Sequence, residues 1–191
     1  MKTKKIALFA SGSGTNAEKI MQYFDAHEQV EVAMLLSNKA KAGALARAEK
    51  FEVATKVFNR STFYETEEII SLLQDREIDL IVLAGFLWLI PAPLVKAFPN
   101  KIINIHPALL PNYGGKGMYG AHVHEAVIQN KEKESGITIH YVNEQYDEGE
   151  FIFQASCEIS PSDTSTDLAK KVQQLEHEHF PKVIENVLLT Q

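Results

Sequence analysis

Five short apolar runs recur along the first half of the chain, at residues 6–10, 30–37, 53–57, 79–85 and 102–105. Between them, residues 17–24, 42–50, 61–74 and 93–98 carry apolar side chains at helical spacing. Ser61 reads as the N-cap of the third of these helices, with Arg60 as a solvated loop charge before it. A run such as Asp79-Leu80-Ile81-Val82-Leu83-Ala84-Gly85 is continuously apolar, the mark of a strand buried on both faces. Strands that alternate with helices in this way leave few topologies open. Each connection between parallel strands must cross a face of the sheet, and a helix is what fills that path. The pattern predicts an α/β fold with a doubly wound, mostly parallel sheet and helices on both faces. After residue 111 the rhythm changes. Residues 112–120 form a loop with four glycines, and 121–130 a helix. Residues 136–142 alternate cleanly and 151–155 follow after a short connection, so the late strands should be partly antiparallel. Residues 166–189 read as a closing helix with a break at Pro181.

The fifth run ends in Asn104-Ile105-His106-Pro107-Ala108-Leu109-Leu110-Pro111. Positions two apart on a strand share a face, so Asn104 and His106 should project together. Pro107 cannot continue a central strand, which places the pair at a strand's carboxyl end. In open α/β sheets that is where ligands bind. A lone histidine there can equally be a packing or capping residue. Three other stretches have two readings each. Ser11-Gly12-Ser13-Gly14-Thr15-Asn16 is either a tight turn with a helix cap or a loop whose backbone N–H groups receive a monophosphate. It lacks the third glycine of a dinucleotide fingerprint and the Gly-Lys-Ser/Thr of a nucleoside triphosphate loop. Phe86-Leu87-Trp88-Leu89-Ile90-Pro91 is core or the wall of a pocket for a flat ligand. Asp147-Glu148-Gly149 is ordinary hairpin chemistry or a carboxylate brought to the imidazole of His106. An imidazole, a carboxylate and an amide N–H make an acid/base pair with an anchor for a developing oxyanion. No protein nucleophile accompanies them, since Cys157 is isolated and no Gly-x-Ser-x-Gly elbow is present. The substrate should therefore bring its own nucleophile, such as an amine. The pairs His122/His124 and His177/His179 diverge on a helix, so no metal is expected.

The 191 residues and an apolar fraction of 45% suit one domain spanning 1–191. A net charge of −6 argues against nucleic acid as a partner, while leaving room for a local cationic pocket. One cysteine rules out an intrachain disulfide and fits a cytoplasmic setting. No run has the length of a signal peptide's apolar region or a membrane span.

Asn104-x-His106-Pro107-Ala-Leu-Leu-Pro, with Asp147 about forty residues later beside Gly149, resembles the formyltransferases that use 10-formyltetrahydrofolate. Ser11–Asn16 and Ala84-Gly85-Phe86 narrow the resemblance to the phosphoribosylglycinamide formyltransferases of purine synthesis, over almost the whole chain. The resemblance implies formyl transfer from the folate to the amine of glycinamide ribonucleotide. It implies a catalytic set of Asn104, His106 and Asp147. Gly14, Thr15, Asn16, Gln173 and Glu176 would hold the ribonucleotide. Arg60, Leu87, Trp88, Leu89, Ile90 and Asn104 would contact the folate. Small molecules would be the partners, with no nucleic acid and no membrane, and the chain a monomer or homodimer. Ala108 stands where the family commonly has Ser, and Trp88 where it often has Arg. The loop 114–120 looks longer than usual, so its contacts are not carried over. The rival readings are a deformylase or another formyltetrahydrofolate enzyme, and a folate- or nucleotide-binding protein without catalysis.

Overall fold

In the computed structural model, which describes residues 2–190, the strands are β1 (Lys4–Phe9), β2 (Val30–Ser37), β3 (Ala54–Val57), β4 (Leu80–Leu83), β5 (Ile102–His106), β6 (Glu134–Tyr141) and β7 (Phe151–Glu158). The helices are α1 (Thr15–Phe24), α2 (Gly43–Lys50), α3 (Arg60–Tyr64), α4 (Glu68–Asp75), α5 (Ala92–Ala97), α6 (Ala121–Gln129) and α7 (Ser165–Leu189). Among the described residues the strands form one seven-stranded sheet in the order β3-β2-β1-β4-β5-β6-β7. The first five run parallel; β6 is antiparallel to β5, and β7 to β6. The chain winds outwards from β1 to β3, then returns to β4 on the other side of β1. This reversal opens a crevice at the carboxyl ends of β1 and β4, the usual ligand position in such sheets.

Two apolar layers clamp the sheet. Ile6, Leu8, Val82, Ile103 and Ile105 face α1, α2, α6 and α7. Ala7, Phe9, Ile81, Leu83 and Ile102 face α3, α4 and α5. The strict alternation within β1, β4 and β5 is the physical content of two-sided burial. Fully burying one such side chain contributes roughly 1.5–3 kcal/mol, so the layers, not hydrogen bonds, dominate the stability.

Two sequence expectations change. The helix expected over 61–74 is two helices. Asn59 caps the first, its side chain accepting the Thr62 N–H at 2.9 Å, a contact typically worth about 1 kcal/mol. Ser61 lies inside α3 and donates instead to Glu65, at 2.7 Å. The break follows from Thr66, whose hydroxyl donates to the Thr62 carbonyl at 2.8 Å and receives the Glu68 N–H at 3.3 Å. A side chain that bonds its own backbone offers an alternative to the next helical turn. At the chain's other end α7 runs unbroken through Pro181. Buried Leu168 and Val172 before it, and Phe180, Val183 and Ile184 around it, seat both halves on the core. Its start is fixed by a capping box between Thr164 and Asp167. None of the described helices is long and apolar enough to cross a membrane.

Candidate active site

The crevice holds a cavity of ≈ 460 Å³, inside the range of roughly 300–1,000 Å³ for small-molecule sites. Asn104 and His106 enter it from one face of β5, as their spacing requires. The antiparallel register places His140 of β6 opposite Asn104 and Thr138 opposite His106. Thr138 fixes the chain beyond His106. Its hydroxyl donates to the Ala108 carbonyl at 2.7 Å and accepts the Leu110 N–H at 2.9 Å.

Asp147 comes over from the β6–β7 connection with φ +56°, a conformation that Asp and Asn tolerate better than most residues. Gly149 allows the chain to return closely, since a Cβ there would lie 1.6 Å from the Tyr141 carbonyl oxygen. The carboxylate then bridges two imidazoles. Its Oδ2 is 3.5 Å from His106 Nδ1 and its Oδ1 3.5 Å from His140 Nε2. Oδ2 also accepts the Gly115 N–H at 3.0 Å. Burial alone pushes the Asp147 carboxyl up, but His140, His106 and the Gly115 N–H together hold it below its ordinary value. It is a fixed negative charge at neutral pH.

His106 is 3% exposed and has an acceptor at each ring nitrogen. Its Nε2–H donates to the Tyr113 carbonyl at 2.8 Å, and Nδ1 faces Asp147. Burial pushes the imidazole below its ordinary pKa, outweighing the upward pull of Asp147 and the Tyr113 carbonyl. At rest the ring is neutral, and Asp147 stands ready to stabilise its cation once further negative charge arrives. His140, 2% exposed, donates Nδ1–H to the Tyr141 carbonyl at 2.8 Å. Its Nε2 accepts from Asn104 Nδ2 at 3.1 Å. That bond fixes the Asn104 amide and leaves its second N–H hydrogen for a ligand in the cavity.

The loop 86–90 is both core and wall. Phe86 and Ile90 are buried with Phe9, Phe58 and Phe63, whereas Leu87, Trp88 and Leu89 line the cavity with them. Two of its backbone groups are already engaged: Leu87 N–H by Ser11 Oγ at 3.0 Å, and the Leu89 carbonyl by the Tyr64 hydroxyl at 2.9 Å. Arg60 does not line the cavity. It is the first residue of α3, not a loop charge, and its guanidinium lies 4.8 Å from the Tyr64 ring centroid and 5.8 Å from that of Trp88. It therefore stands behind the Trp88 wall.

Across the cavity, Asn16, Gln173 and Glu176 all line it. Asn16 Nδ2 donates to Glu176 at 2.9 Å, and Gln173 donates to Thr15 Oγ1 at 3.2 Å. Burial pushes the Glu176 carboxyl up, with Asn16 pulling the other way. Asn16 Oδ1 is buried with no hydrogen-bond partner among the described residues. Gly14 and Thr15 lie outside the lining. Gly14 has φ +77°, and a Cβ on it would meet Ala44 of α2 at 2.5 Å. Its role in the fold is to let α2 approach. Gly12 is the open glycine of the turn, with nothing within 4 Å of a Cβ there.

A model of the formyl transferase family matches residues 4–184. The chain belongs to the formyl transferase family. Among its relatives, the chloroplastic phosphoribosylglycinamide formyltransferase of Arabidopsis thaliana is 40% identical over 95% of this chain. The chain spans 64% of that protein's length. The phosphoribosylglycinamide formyltransferase of Bacillus subtilis is 37% identical, covering 97% of this chain and 95% of its own. The crystal structure of the Anaplasma phagocytophilum phosphoribosylglycinamide formyltransferase superimposes with a TM-score of 0.89 at 31% identity. It covers 99% of this chain and 89% of its own. Membership fits the sheet order, with antiparallel strands closing a parallel half. Sequence reasoning missed His140, which looked like one more residue of an alternating strand. The signal was its shared face with Asn104 and His106, visible only once β6 pairs with β5. It also missed His124, which lines the cavity from α6.

Proposed function

We propose that this chain transfers the formyl group of 10-formyltetrahydrofolate to the primary amine of glycinamide ribonucleotide, as a step of purine synthesis. The observation that carries the reading is the convergence of Asn104, His106 and Asp147 in one cavity with no protein nucleophile engaged. Cys157 lies on β7 outside the lining, and neither His106 nor His140 bonds a hydroxyl. The attacking atom then belongs to the acceptor. The folate supplies the formyl carbon. The amine lone pair forms the new C–N bond while charge builds on the formyl oxygen, where the free Asn104 N–H stabilises it. His106, whose Nε2–H is held by the Tyr113 carbonyl, takes the proton that the amine loses on Nδ1, where Asp147 holds the cation, and passes it to the leaving nitrogen. No metal enters this scheme.

Two features support the pairing of substrates. The orphaned Asn16 Oδ1 beside Glu176 is an acceptor awaiting a donor, which suits a ribose hydroxyl. The apolar wall of Leu87, Trp88 and Leu89 suits a flat ring. The test is release of tetrahydrofolate from 10-formyltetrahydrofolate by the purified chain, with and without glycinamide ribonucleotide. We expect turnover to require the ribonucleotide. Equal turnover with water alone assigns a deformylase instead, and none in either condition assigns a binding protein.

A further inference from the structure

Three buried histidines line the cavity, and they differ in one respect. His106 and His140 each have a partner at both ring nitrogens. His124 has none. It is 7% exposed, on the second turn of α6, and its Nδ1 is buried with no hydrogen-bond partner among the described residues. A buried polar atom left unpaired costs roughly 1–3 kcal/mol, so a position that keeps one asks for an explanation. Leucine or methionine would fill a similar volume on α6 without that penalty. α6 packs against α7, the helix that carries Gln173 and Glu176 into the same cavity. His124 shares the lining of the cavity with His106 and with Gln173 and Glu176 of α7.

We propose that His124 is a substrate-contacting residue, whose ring hydrogen-bonds the amine-bearing end of the acceptor and holds it against His106. The inference rests on the formyl-transfer reading and adds a residue to it. Burial and the nearby His106 push the His124 imidazole below its ordinary pKa, so it is neutral at pH 7. A neutral ring has one accepting nitrogen, which suits an amine or amide N–H, and one donor, which suits an amide carbonyl. The glycinamide end of the acceptor offers all three.

The test compares wild type with His124→Leu and His124→Gln. Leucine removes the polar atoms and, as an apolar group in an apolar position, should leave thermal stability unchanged or raised. KM for glycinamide ribonucleotide should rise about tenfold or more, with KM for the folate within twofold. Glutamine, whose amide can reach a similar point, should recover part of the loss. Calorimetric titration with glycinamide ribonucleotide alone supplies the control. If wild type and His124→Leu bind it equally and turn over equally, His124 is a packing residue and the inference falls. If His124→Leu melts well below wild type, the role is structural and the inference also falls. If the wild type neither binds nor formylates the ribonucleotide, the functional reading itself fails, and the inference with it.

Discussion

At the scale of single residues the site is organised by Asp147. One carboxylate faces two imidazoles and a backbone N–H, and each partner restrains another. We expect Asp147→Asn to fold normally, because Asn tolerates φ +56° and can still accept the Gly115 N–H. It cannot supply the charge that stabilises the His106 cation, so turnover should fall by about two orders of magnitude. The pH–rate profiles of wild type and variant, with folate affinity as a folding control, check this. Superimposable profiles would remove Asp147 from the chemistry. His140 acts one step back. It touches Asn104 and Asp147, and its Nδ1 proton, held by the Tyr141 carbonyl, determines which Asn104 hydrogen is left over.

At the scale of elements, the turn into α1 shows two glycines with different duties. Gly14 is required by packing: it takes a left-handed φ where α2 comes too close for any side chain. Gly14→Val should destabilise the chain by at least about 2 kcal/mol through backbone strain and overpacking. Gly12 faces open space at an ordinary φ, so Gly12→Ala should leave the urea midpoint within experimental error. If the turn cradles a phosphate, however, Gly12→Ala should weaken ribonucleotide binding several-fold. Urea titration and calorimetry on the pair separate the two duties; a loss of stability in Gly12→Ala, or of ribonucleotide affinity alone in Gly14→Val, would reverse the assignment. α3 has its own task. Its short length and its Asn59 cap hold Arg60 and Tyr64 against the loop carrying Trp88 and Leu89. A helix running on through residue 67 would not end where Thr66 ends it.

At the scale of the molecule, burying neutral histidines has a pH signature. His106 and His124 have folded pKa values below the ordinary value of about 6.5 that the unfolded chain shows. Between the two values the unfolded chain binds more protons, so stability rises with pH there. Their contribution is complete above about pH 6.5 and is lost as the pH falls below it. Asp147 works in the same direction further into acid, since its folded value is depressed below the ordinary carboxylate value of about 3.9. We therefore expect a urea midpoint that is level from pH 8 to 7 and falls by pH 5.5, and a smaller fall in His124→Leu. A midpoint unchanged across that range would mean that neither ring is kept neutral by the fold.

Much of this was legible in the chain itself. Continuous apolar runs between helical stretches dictate two-sided burial, and two-sided burial of parallel strands dictates the doubly wound sheet. The spacing of Asn104 and His106, with Pro107 after them, places both on one face at a strand end, because a strand repeats every two residues and Pro cannot extend it. What sequence reasoning left open were the contacts between distant segments. Whether Asp147 was a hairpin residue or a charge beside His106 depended on where β6 and β7 pair, a choice set by burial over both strands. Glu176 is 160 residues from its partner Asn16, and no local pattern links them. No pattern singled out His140, and the spacing of His122 and His124 pointed only to a metal site that helix geometry dismisses. His140 gained its partners from an antiparallel register and His124 its place in the cavity from the packing of α6, and each is a property of the packed molecule alone.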